Sequence, residues 1–449
     1  MTLPAGQISL NDVNVELGYS GTTQISLNQS DVRTLAGVAS GQISMSDLQN
    51  KSNASNFIAL IAGSNGNLRS GRTSVASDSS GNIYVSYNNT DTSVPCLIKY
   101  TSTGSLVFQK SFNISGVTLD STTSVAIDSS NNVFFVCGNS SDVYIGVLNT
   151  SGTVSTTYKL AGAGSVQVAK VSGTLLVIGT KNNGYGANFI GFNTSSGAVS
   201  WGHTYSNSSN YVSCYGMAFS PNYVYICGPA GANVWTAQVS FGGSIGWKRL
   251  VGSSGYPAGI TVDSSDNVYV AQILSSGGNA YVYKYDSSYN GLASAGLSTS
   301  YWSLDSISID SSNNIYISGN TQTVGYIAKL NSSLSVQYQR TMTPSTGYIY
   351  YGSNTIIGSK LFSSGYAQNY ALTYTDYISS LFAPLDGTAT GAYTVGSYTY
   401  TYASNSSSWS AGSTPSTSSY GATATITPTV TTVTGTTSNT SNTSTIKVL

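Results

Sequence analysis

One sequence pattern recurs through the middle of the chain and constrains its fold more than any other feature. It is clearest at residues 124–138, SVAIDSSNNVFFVCG, and it returns at residues 74–86, 259–271 and 306–319. Each copy alternates apolar with small or polar residues, then has Asp-Ser-Ser-x-Asn, then β-branched and aromatic residues. Asp and Asn side chains hydrogen-bond nearby backbone amides, and Asn or Gly tolerates positive φ. Each copy therefore predicts a β-hairpin with its tight turn at the aspartate.

The spacing of the copies predicts how many there are. The turn aspartates Asp78, Asp128, Asp263 and Asp310 are 50, 135 and 47 residues apart, so the middle interval is about three times the others. Two further copies with altered turns are expected in that interval, and residues 165–179 and 214–228 keep the alternation without the aspartate. Another copy begins near Gly347 with GYIYYGSNTIIGS, which brings the count to seven.

A weaker pair of strand-like segments follows each hairpin, as at residues 97–100 and 106–109. Four strands in a unit of about 40 to 50 residues is the signature of a β-propeller blade. We therefore predict an all-β chain in which residues 54–380 form a β-propeller, with seven blades favoured and six or eight as alternatives. Residues 56–72 have the pattern of a blade's second strand pair and are expected to complete the last blade, in competition with residues 369–376.

Residues 1–53 form a different module. A phrase beginning Gln-Ile-Ser occurs three times, at residues 7–11, 24–28 and 42–46. Each copy predicts a short extended segment followed by a helix capped by Asn11, Asn28 or Ser46, and Gly18 and Gly37 are expected to end the first two helices. A module with so few apolar anchors is marginally stable alone, which suggests that it docks against another protein. The predicted attachment positions are Ile8, Leu10, Val13, Leu17, Ile25, Leu27, Val32, Leu35, Ile43 and Met45.

The composition changes again in residues 381–449. Asp386 and Lys447 are the only charged residues after position 385, and Ser, Thr, Gly and Tyr dominate. Residues 393–402 and 422–433 nevertheless alternate with a period of two, which predicts β-structure. We expect a small β domain or a strand exchanged with a neighbouring subunit, with a disordered Ser/Thr-rich tail as the alternative.

Composition also limits the partners. Charged residues make up 7% of the chain and the formal net charge is zero, so neither nucleic acid nor insertion into a membrane is expected. No apolar run approaches the roughly 20 residues that span a bilayer. The start of the chain lacks the features of a signal peptide, which predicts synthesis in a cytoplasm without export. Four cysteines are too few for a disulfide scaffold, and reduced thiols are expected even for Cys214 and Cys227, which could face each other across one hairpin.

The sequence offers no clear catalytic or metal site. His203 is the only histidine, and no Gly-x-Ser-x-Gly nucleophile motif follows a strand. The repeated aspartates belong to different blades, which a ring holds apart, so paired carboxylate chemistry is not expected. Calcium prefers six to eight oxygen ligands, and only Asp263 with Asp266 supplies two carboxylates in one turn. We predict a protein without enzymatic activity and without a cofactor, with calcium as the alternative.

Tyrosine is the residue type best suited to contact a ligand, since its ring offers an apolar face beside a hydroxyl group. The chain has 34 tyrosines. Tyr84, Tyr269 and Tyr316 occupy matching repeat positions and are expected to pack between blades. The predicted contact candidates lie in loops: Tyr185, Tyr256, Tyr289 and Tyr301.

The N-terminal segments GQISLNDVNVELG and ISLNQSDVRTLAGVASGQISMSDLQNKSN resemble the N-terminal segment of structural and tail-fibre-like proteins of tailed bacteriophages. The chain departs from that pattern at Gln49-Asn50-Lys51, where a glycine usually precedes the lysine. The resemblance covers residues 1–53. It implies a protein located in the virion, with these residues as its attachment segment and with other virion proteins and further copies of the chain as partners.

We therefore expect a non-enzymatic tail-fibre or baseplate component that displays a β-propeller, with a host-surface glycan or protein as a further partner. One alternative is a capsid decoration or head-fibre protein. Another is a glycan-binding receptor-binding protein with depolymerase activity.

Overall fold

A computed structural model shows a seven-bladed β-propeller preceded by a small helical module, as the repeat count predicted. The structure describes residues 3, 6–17, 22–36, 38, 40–49, 57–62, 73–89, 94–119, 122–182, 186–206, 211–251, 254–274, 279–297, 302–321, 323–369, 375–387, 390–395, 398–406, 409–411, 417–419, 423–425, 429–433, 435–439 and 443–448.

The helical module contains two α-helices, α1 (Leu10–Leu17) and α2 (Ser30–Ala36), and a 3₁₀ helix (Met45–Leu48). The prediction that Asn11 and Ser46 cap the first and third of these helices is wrong, and for the second helix the cap by Asn28 stays a prediction. In the first copy of the phrase, the Asp12 amide donates to Ser9 Oγ at 3.2 Å and the Ser9 amide donates to Asp12 Oδ2 at 2.7 Å. The Ser44 amide donates to Asp47 Oδ2 in the same way at 2.7 Å. The serines of the first and third copies therefore each begin a capping box with the aspartate three positions later. Gly18 and Gly37 lie outside the described residues.

The module has a hydrophobic core of its own. Val13, Val32 and Leu48 are fully buried, and Leu3, Leu35 and Ala36 pack with them. Most of the other predicted anchors are partly buried around this core, namely Ile8, Leu17, Ile25, Leu27, Ile43 and Met45. Leu10 is 44% exposed, so its side chain contributes little to the core and is available to an outside contact.

Six blades are each built from four consecutive antiparallel strands. Blade 1 is β2 (Ser74–Ser77), β3 (Ile83–Asn89), β4 (Val94–Tyr100) and β5 (Leu106–Ile114); blade 2 is β6 (Ser124–Ile127), β7 (Val133–Gly138), β8 (Val143–Leu148) and β9 (Val154–Ala161); blade 3 is β10 (Ser165–Ser172), β11 (Leu175–Asn182), β12 (Gly186–Asn193) and β13 (Ala198–Ser206). Blade 4 is β14 (Gly216–Phe219), β15 (Tyr223–Ala230), β16 (Asn233–Ser240) and β17 (Ile245–Val251); blade 5 is β18 (Gly255–Val262), β19 (Val268–Leu274), β20 (Ala280–Tyr285) and β21 (Gly291–Leu297); blade 6 is β22 (Trp302–Ile309), β23 (Ile315–Thr321), β24 (Val324–Leu330) and β25 (Val336–Pro344).

Blade 7 is completed by a strand from the other end of the chain. Its first three strands are β26 (Tyr348–Ile357), β27 (Lys360–Asn369) and β28 (Thr375–Pro384), and its fourth is β1 (Phe57–Ala62). The predicted closure of the last blade by strands from both ends of the propeller is confirmed by β1. Of the competing segment 369–376, Asn369 ends β27 and Thr375 begins β28, whereas residues 63–72 and 370–374 lie outside the described residues. The first strands of the seven blades contact one another in sequence, and β26 contacts β2, so these strands form a closed inner ring.

The C-terminal residues add a further strand to every blade. After β29 (Gly391–Val395), which pairs with its successor, the strands are β30 (Tyr398–Ser404), β31 (Trp409–Ala411), β32 (Thr417–Ser419), β33 (Thr423–Thr425), β34 (Thr429–Val433), β35 (Gly435–Asn439) and β36 (Thr443–Val448). They pair with the outermost strands of blades 6, 5, 4, 3, 2, 1 and 7 in that order. We call residues 398–448 the belt, because their strands follow the ring once, in the reverse of the order in which the blades occur in the sequence. In the described residues the belt forms no sheet of its own.

The hydrophobic core of the propeller is divided among the seven gaps between neighbouring blades. Each gap holds one cluster of buried side chains drawn from the two blades that face it. The four cysteines are reduced and buried, and each lies in a different gap. Cys214 faces blade 3 and Cys227 faces blade 5, so these two thiols lie on opposite faces of blade 4 rather than facing each other.

Candidate functional site

The inner ring surrounds a channel with a cavity of about 150 Å³, lined by residues of all seven first strands. Much of this wall consists of small or polar residues. Ser74, Ser124, Gly216, Gly259 and Ser306 line it, and in the repeat they share the position four residues before the turn.

Three of these serines link neighbouring blades. The Val125 amide donates to Ser74 Oγ at 3.3 Å, the Ala169 amide to Ser124 Oγ at 2.9 Å, and the Asn354 amide to Ser306 Oγ at 3.0 Å. Much of the polarity of the wall is therefore already used to hold the ring together.

Glycine replaces serine at this position in blades 4 and 5, where the strands approach more closely. A Cβ atom on Gly216 would lie 3.0 Å from Gly259 Cα and 3.1 Å from the Ile260 amide nitrogen. Nine in ten Cβ contacts in real proteins have longer distances than these two. A side chain at Gly216 would therefore push the first strands of blades 4 and 5 apart.

Two charged side chains line the channel, Lys170 of blade 3 and Asp305 of blade 6. Lys170 is exposed to the channel, and the protein that surrounds it lowers the pKa of its ammonium group by desolvation. Asp305 is half-buried at an irregularity in the pairing of β22 with β23. Blades 4 and 5 lie between these two residues on one side of the ring and blades 7, 1 and 2 on the other, so the charges lie on different sides of the channel.

The four predicted turn aspartates share one geometry. In each turn, one carboxylate oxygen accepts the amides two and four residues later; at Asp263 these are Ser265 and Asn267, both at 2.9 Å. The other oxygen accepts the amide side chain of Asn267 at 2.8 Å. The same bonds recur at Asp78, Asp128 and Asp310. The residue three positions after each aspartate has positive φ, which explains the Asn, Asp or Gly found there.

A tyrosine and a lysine complete this arrangement in blades 1, 5 and 6. The Tyr269 hydroxyl donates to Asp263 Oδ2 at 3.0 Å, and Lys284 Nζ lies 5.2 Å from the centre of the Tyr269 ring. Lys284 also donates to the Ser332 carbonyl of the next blade at 2.9 Å. Burial and the Asp263 charge together raise the pKa of Tyr269 well above its usual value, so the phenol remains a neutral donor. Equivalent groups surround Asp78 and Asp310.

These contacts bear on the calcium alternative. Both oxygens of Asp263 accept hydrogen bonds from N–H or O–H groups, which a cation would have to displace. Asp266 follows in the same turn with φ of 60°. Within the described ranges, no three His, Cys, Asp or Glu side chains are grouped so that they could hold a metal ion.

His203 lies on the outer strand of blade 3. Its Nε2 is 2.7 Å from the carbonyl oxygen of Gly243 in blade 4, and its ring packs against Phe189 and Trp201. The Trp201 indole makes a parallel bond to the Phe241 carbonyl at 2.9 Å. His203 is therefore part of a contact between two blades.

The predicted contact tyrosines differ in their exposure to solvent. Tyr256, at the start of the first strand of blade 5, is 54% exposed. Tyr289 is buried, contrary to the prediction, because its ring stacks on Tyr285 at 4.0 Å between ring centres and packs against Trp247 at 4.4 Å. The burial of Tyr289 could not be predicted from the sequence, because Tyr289 follows an Asx turn and adopts positive φ. Exposed Asn, Asp or Gly residues are usual at such a position. Tyr185 and Tyr301 lie outside the described residues.

Tyr211 and Tyr215 form a tyrosine pair beside the channel that was not among the predicted contact residues. Tyr211 is 36% exposed, its hydroxyl lies 3.2 Å from that of Tyr215, and Lys181 Nζ lies 4.8 Å from its ring centre. Tyr215 lines the channel. Both precede the first strand of a worn repeat copy, where the sequence carried no turn signal to mark them.

Comparison with known proteins gives no family. No family model matches the chain, and no curated protein matches it significantly. Among solved structures, the Dos1 propeller is 10% identical with a TM-score of 0.43 and covers 67% of this chain and 75% of its own. Saccharomyces cerevisiae Sqt1 is 11% identical with a TM-score of 0.41, covering 76% and 97%. A luciferin-regenerating enzyme is 11% identical with a TM-score of 0.40, covering 73% and 96%. Likeness at this level carries no information about function.

No helix in the part of the chain that the structure describes is long and apolar enough to cross a membrane.

Proposed function

We propose that the chain is a non-enzymatic structural protein of a phage virion, a tail-fibre or baseplate component. Residues 1–53 attach it to the particle and the propeller is displayed as a rigid disc. The observation that carries this proposal is the belt, which pairs with the outer edge of all seven blades. A chain that covers its own outer strand edges with residues 398–448 is protected against edge-to-edge pairing with other chains, which suits a protein displayed on a particle.

The helical module supports the attachment role. It has its own buried core, built without blade residues, and its own capping boxes. Its three serine-initiated turns repeat one phrase, and Leu10 leaves an apolar side chain exposed. The resemblance to phage N-terminal segments falls on these same residues.

The polar groups that could suggest catalysis are engaged in structure. The turn aspartates hold hairpins, His203 contacts the next blade, and the channel serines join neighbouring first strands. This use of the side chains favours a display role over a depolymerase.

Particle incorporation tests the proposal. In a phage that carries this chain, deletion of residues 1–53 is expected to remove the protein from purified particles, measured by immunoblot against a major capsid protein. A full-length chain with Thr431→Ala, an exposed belt position, serves as the matched control and should be incorporated normally. Unchanged incorporation of the deletion variant would sink the attachment role. Gold labelling with serum against residues 54–380 separates the tail from the head, where a decoration protein would lie.

Host-glycan binding is a second candidate function, favoured by the exposed tyrosines near the start of the first strands of blades 4 and 5. Tyr211 and Tyr256 are the two exposed tyrosines among the described side chains, and Tyr215 connects the first of them to the channel. Tyrosine rings beside hydroxyl groups suit sugar rings. A glycan array with wild type and Tyr256→Ala tests this; absence of saturable binding by the wild type removes the candidate.

A further inference from the structure

Strand β1 is the first strand of the propeller after the helical module in the sequence, and it lies between two neighbouring strands of blade 7. It pairs antiparallel with β28 on one side and with β36, the end of the belt, on the other. Each ladder runs the full length of the strand, from Phe57 opposite Phe382 and Val448 to Ala62 opposite Tyr377 and Thr443. Both backbone edges of β1 are therefore engaged.

The two neighbours of β1 are held in different ways. β28 is part of the sheet of blade 7, next to β27, and side chains from its second half are buried in the core. β36 has no strand on its far side in that sheet. It is tied to the ring by the rest of the belt, which pairs with the other six blades before reaching β1, and it also contacts β29.

The start of the belt is fixed by side chains as well as by backbone pairing. Tyr400 and Tyr402 of β30 are both buried in the gap between blades 6 and 7. The ladders on blades 5, 4 and 3 contain only three residue pairs each, and those on blades 2 and 1 contain five. The belt thus has a firmly anchored first strand, short contacts in the middle and a six-pair ladder at its end on β1.

We infer that the belt is a clamp on β1: its last strand holds the N-terminal strand in the ring, so that a pull on the helical module is resisted by two ladders at once. A strand pulled along its axis strains all bonds of a ladder together, whereas peeling breaks them one at a time. With β36 in place, β1 leaves only when twelve residue pairings, six on each side, give way. The clamp rests on the proposed function only for the origin of the pull, which would come from the particle to which residues 1–53 attach.

Hydrogen exchange of the purified full-length chain tests the clamp. A chain ending at Asn439, which lacks β36, is compared with wild type. Exchange in peptides covering residues 57–62 is expected to rise about tenfold or more, because one edge of β1 is uncovered. Peptides from β11 and β15, the second strands of blades 3 and 4, are the internal reference and should not change. Unchanged exchange at residues 57–62, or an equal rise in all blades, would overturn the clamp.

A pair of proline substitutions provides a control that does not shorten the chain. Successive amides of a strand point to opposite sides, so of Ser444→Pro and Thr445→Pro one removes a donor to β1 and the other removes an amide that faces away. Only one of the pair should raise exchange at residues 57–62. Equal behaviour of both variants would contradict a specific ladder between β36 and β1.

Force measurement tests the mechanical part directly. The chain is pulled between its N-terminus and a handle at Tyr256→Cys, an exposed position on blade 5. The native cysteines are buried and should not compete for the handle. Wild type is expected to require a higher force than the chain ending at Asn439 for the first extension, and equal forces would overturn the clamp. These measurements use purified protein and do not depend on the particle. The clamp can therefore be confirmed even if the incorporation test contradicts the attachment role, and it can be overturned even if that test supports the attachment role.

Discussion

The blades and the belt are both β-structure, yet different forces hold them. Within a blade gap, large side chains of two blades interlock; Trp235, for example, is buried, stacks on Tyr205 at 4.9 Å and donates its indole N–H to the Ser213 carbonyl at 3.0 Å. Along most of its length the belt is tied to the blades by short ladders of backbone pairs. The comparison teaches that the ring is specified by side-chain packing, whereas the belt, apart from the buried rings of β30 and the Trp409 contact with Tyr326, relies mainly on free strand edges and an extended segment that fills them.

The largest expected effect is the loss of a side chain from a blade gap. Trp235→Ala should lower the free energy of unfolding by about 3–5 kcal/mol, because it removes a large buried ring and leaves a cavity. Denaturant unfolding followed by tyrosine and tryptophan fluorescence measures it. The contrasting belt change, Thr431→Ala at an exposed site, should cost less than about 0.5 kcal/mol. Similar decreases in the free energy of unfolding for the two variants would contradict the difference proposed between the blade gaps and the belt.

The start of the belt should behave like a blade gap. Tyr402→Ala removes a buried ring from the gap between blades 6 and 7 and is expected to cost about 3 kcal/mol. Its neighbour Thr401 is exposed on the other face of β30, so Thr401→Ala should cost less than about 0.5 kcal/mol. Thermal and denaturant unfolding of both variants supply the values. A small loss for Tyr402→Ala would mean that the belt is anchored elsewhere.

The turn aspartates give a smaller contrast inside the blades. Asp263 accepts a hydrogen bond from Tyr269 in addition to its turn bonds, whereas the residue at the matching position after Asp128 is Phe134, which has no hydroxyl group. Asp263→Ala should therefore cost about 2 kcal/mol and Asp128→Ala about 1 kcal/mol. Unfolding free energies decide it, and an equal cost at both sites would show that the tyrosine bond contributes nothing.

The cysteines allow the gaps to be compared without perturbing them. Burial raises the pKa of the Cys96 thiol to about 12, and burial likewise raises the pKa of Cys137. Neither should therefore be alkylated at pH 8 unless its gap opens. In the chain ending at Asn439, Cys96, between blades 7 and 1, should be alkylated sooner than Cys214, between blades 3 and 4. Mass spectrometry of timed samples measures this, and simultaneous labelling would indicate global rather than local opening.

The smallest effect is expected from pH. Burial by itself would raise the pKa of Asp142, but the Lys159 side chain 2.7 Å away and the Gly162 amide together lower the pKa below its usual 3.8. A carboxyl group with a lowered folded-state pKa stabilises the fold above its unfolded pKa and loses that contribution as pH falls through the folded value. Stability should therefore fall slightly below about pH 4, by less than about 1 kcal/mol, because the pair is partly exposed. Asp142→Asn should lack this component of the acid dependence in a pH series of unfolding curves.

The parts of the fold that could be predicted from the sequence are those that depend on specific side chains. Asp-Ser-Ser-x-Asn identified four hairpins because its hydrogen bonds are local, and the spacing between Asp128 and Asp263 was enough to find two worn copies. The period-two alternation of residues 393–402 predicted strands but not their partners, because backbone pairing leaves no mark on residue identity. The first and third helix caps were misplaced by two residues, since asparagine and serine both suit that position. Tyr289 was misassigned because a buried ring at positive φ looks like a loop residue.

The belt also sets the order in which the molecule can be finished. Blades 1 to 6 leave the ribosome with bare outer edges, and the segment that covers them is synthesised after them. Because it visits blade 6 first and blade 7 with β1 last, the oldest strand of the propeller waits longest for its second neighbour. A nascent chain that stalls near residue 440 would hold a nearly complete ring whose first strand is still uncovered on one side. We expect cells to retain such a chain on chaperones until residues 440–449 emerge.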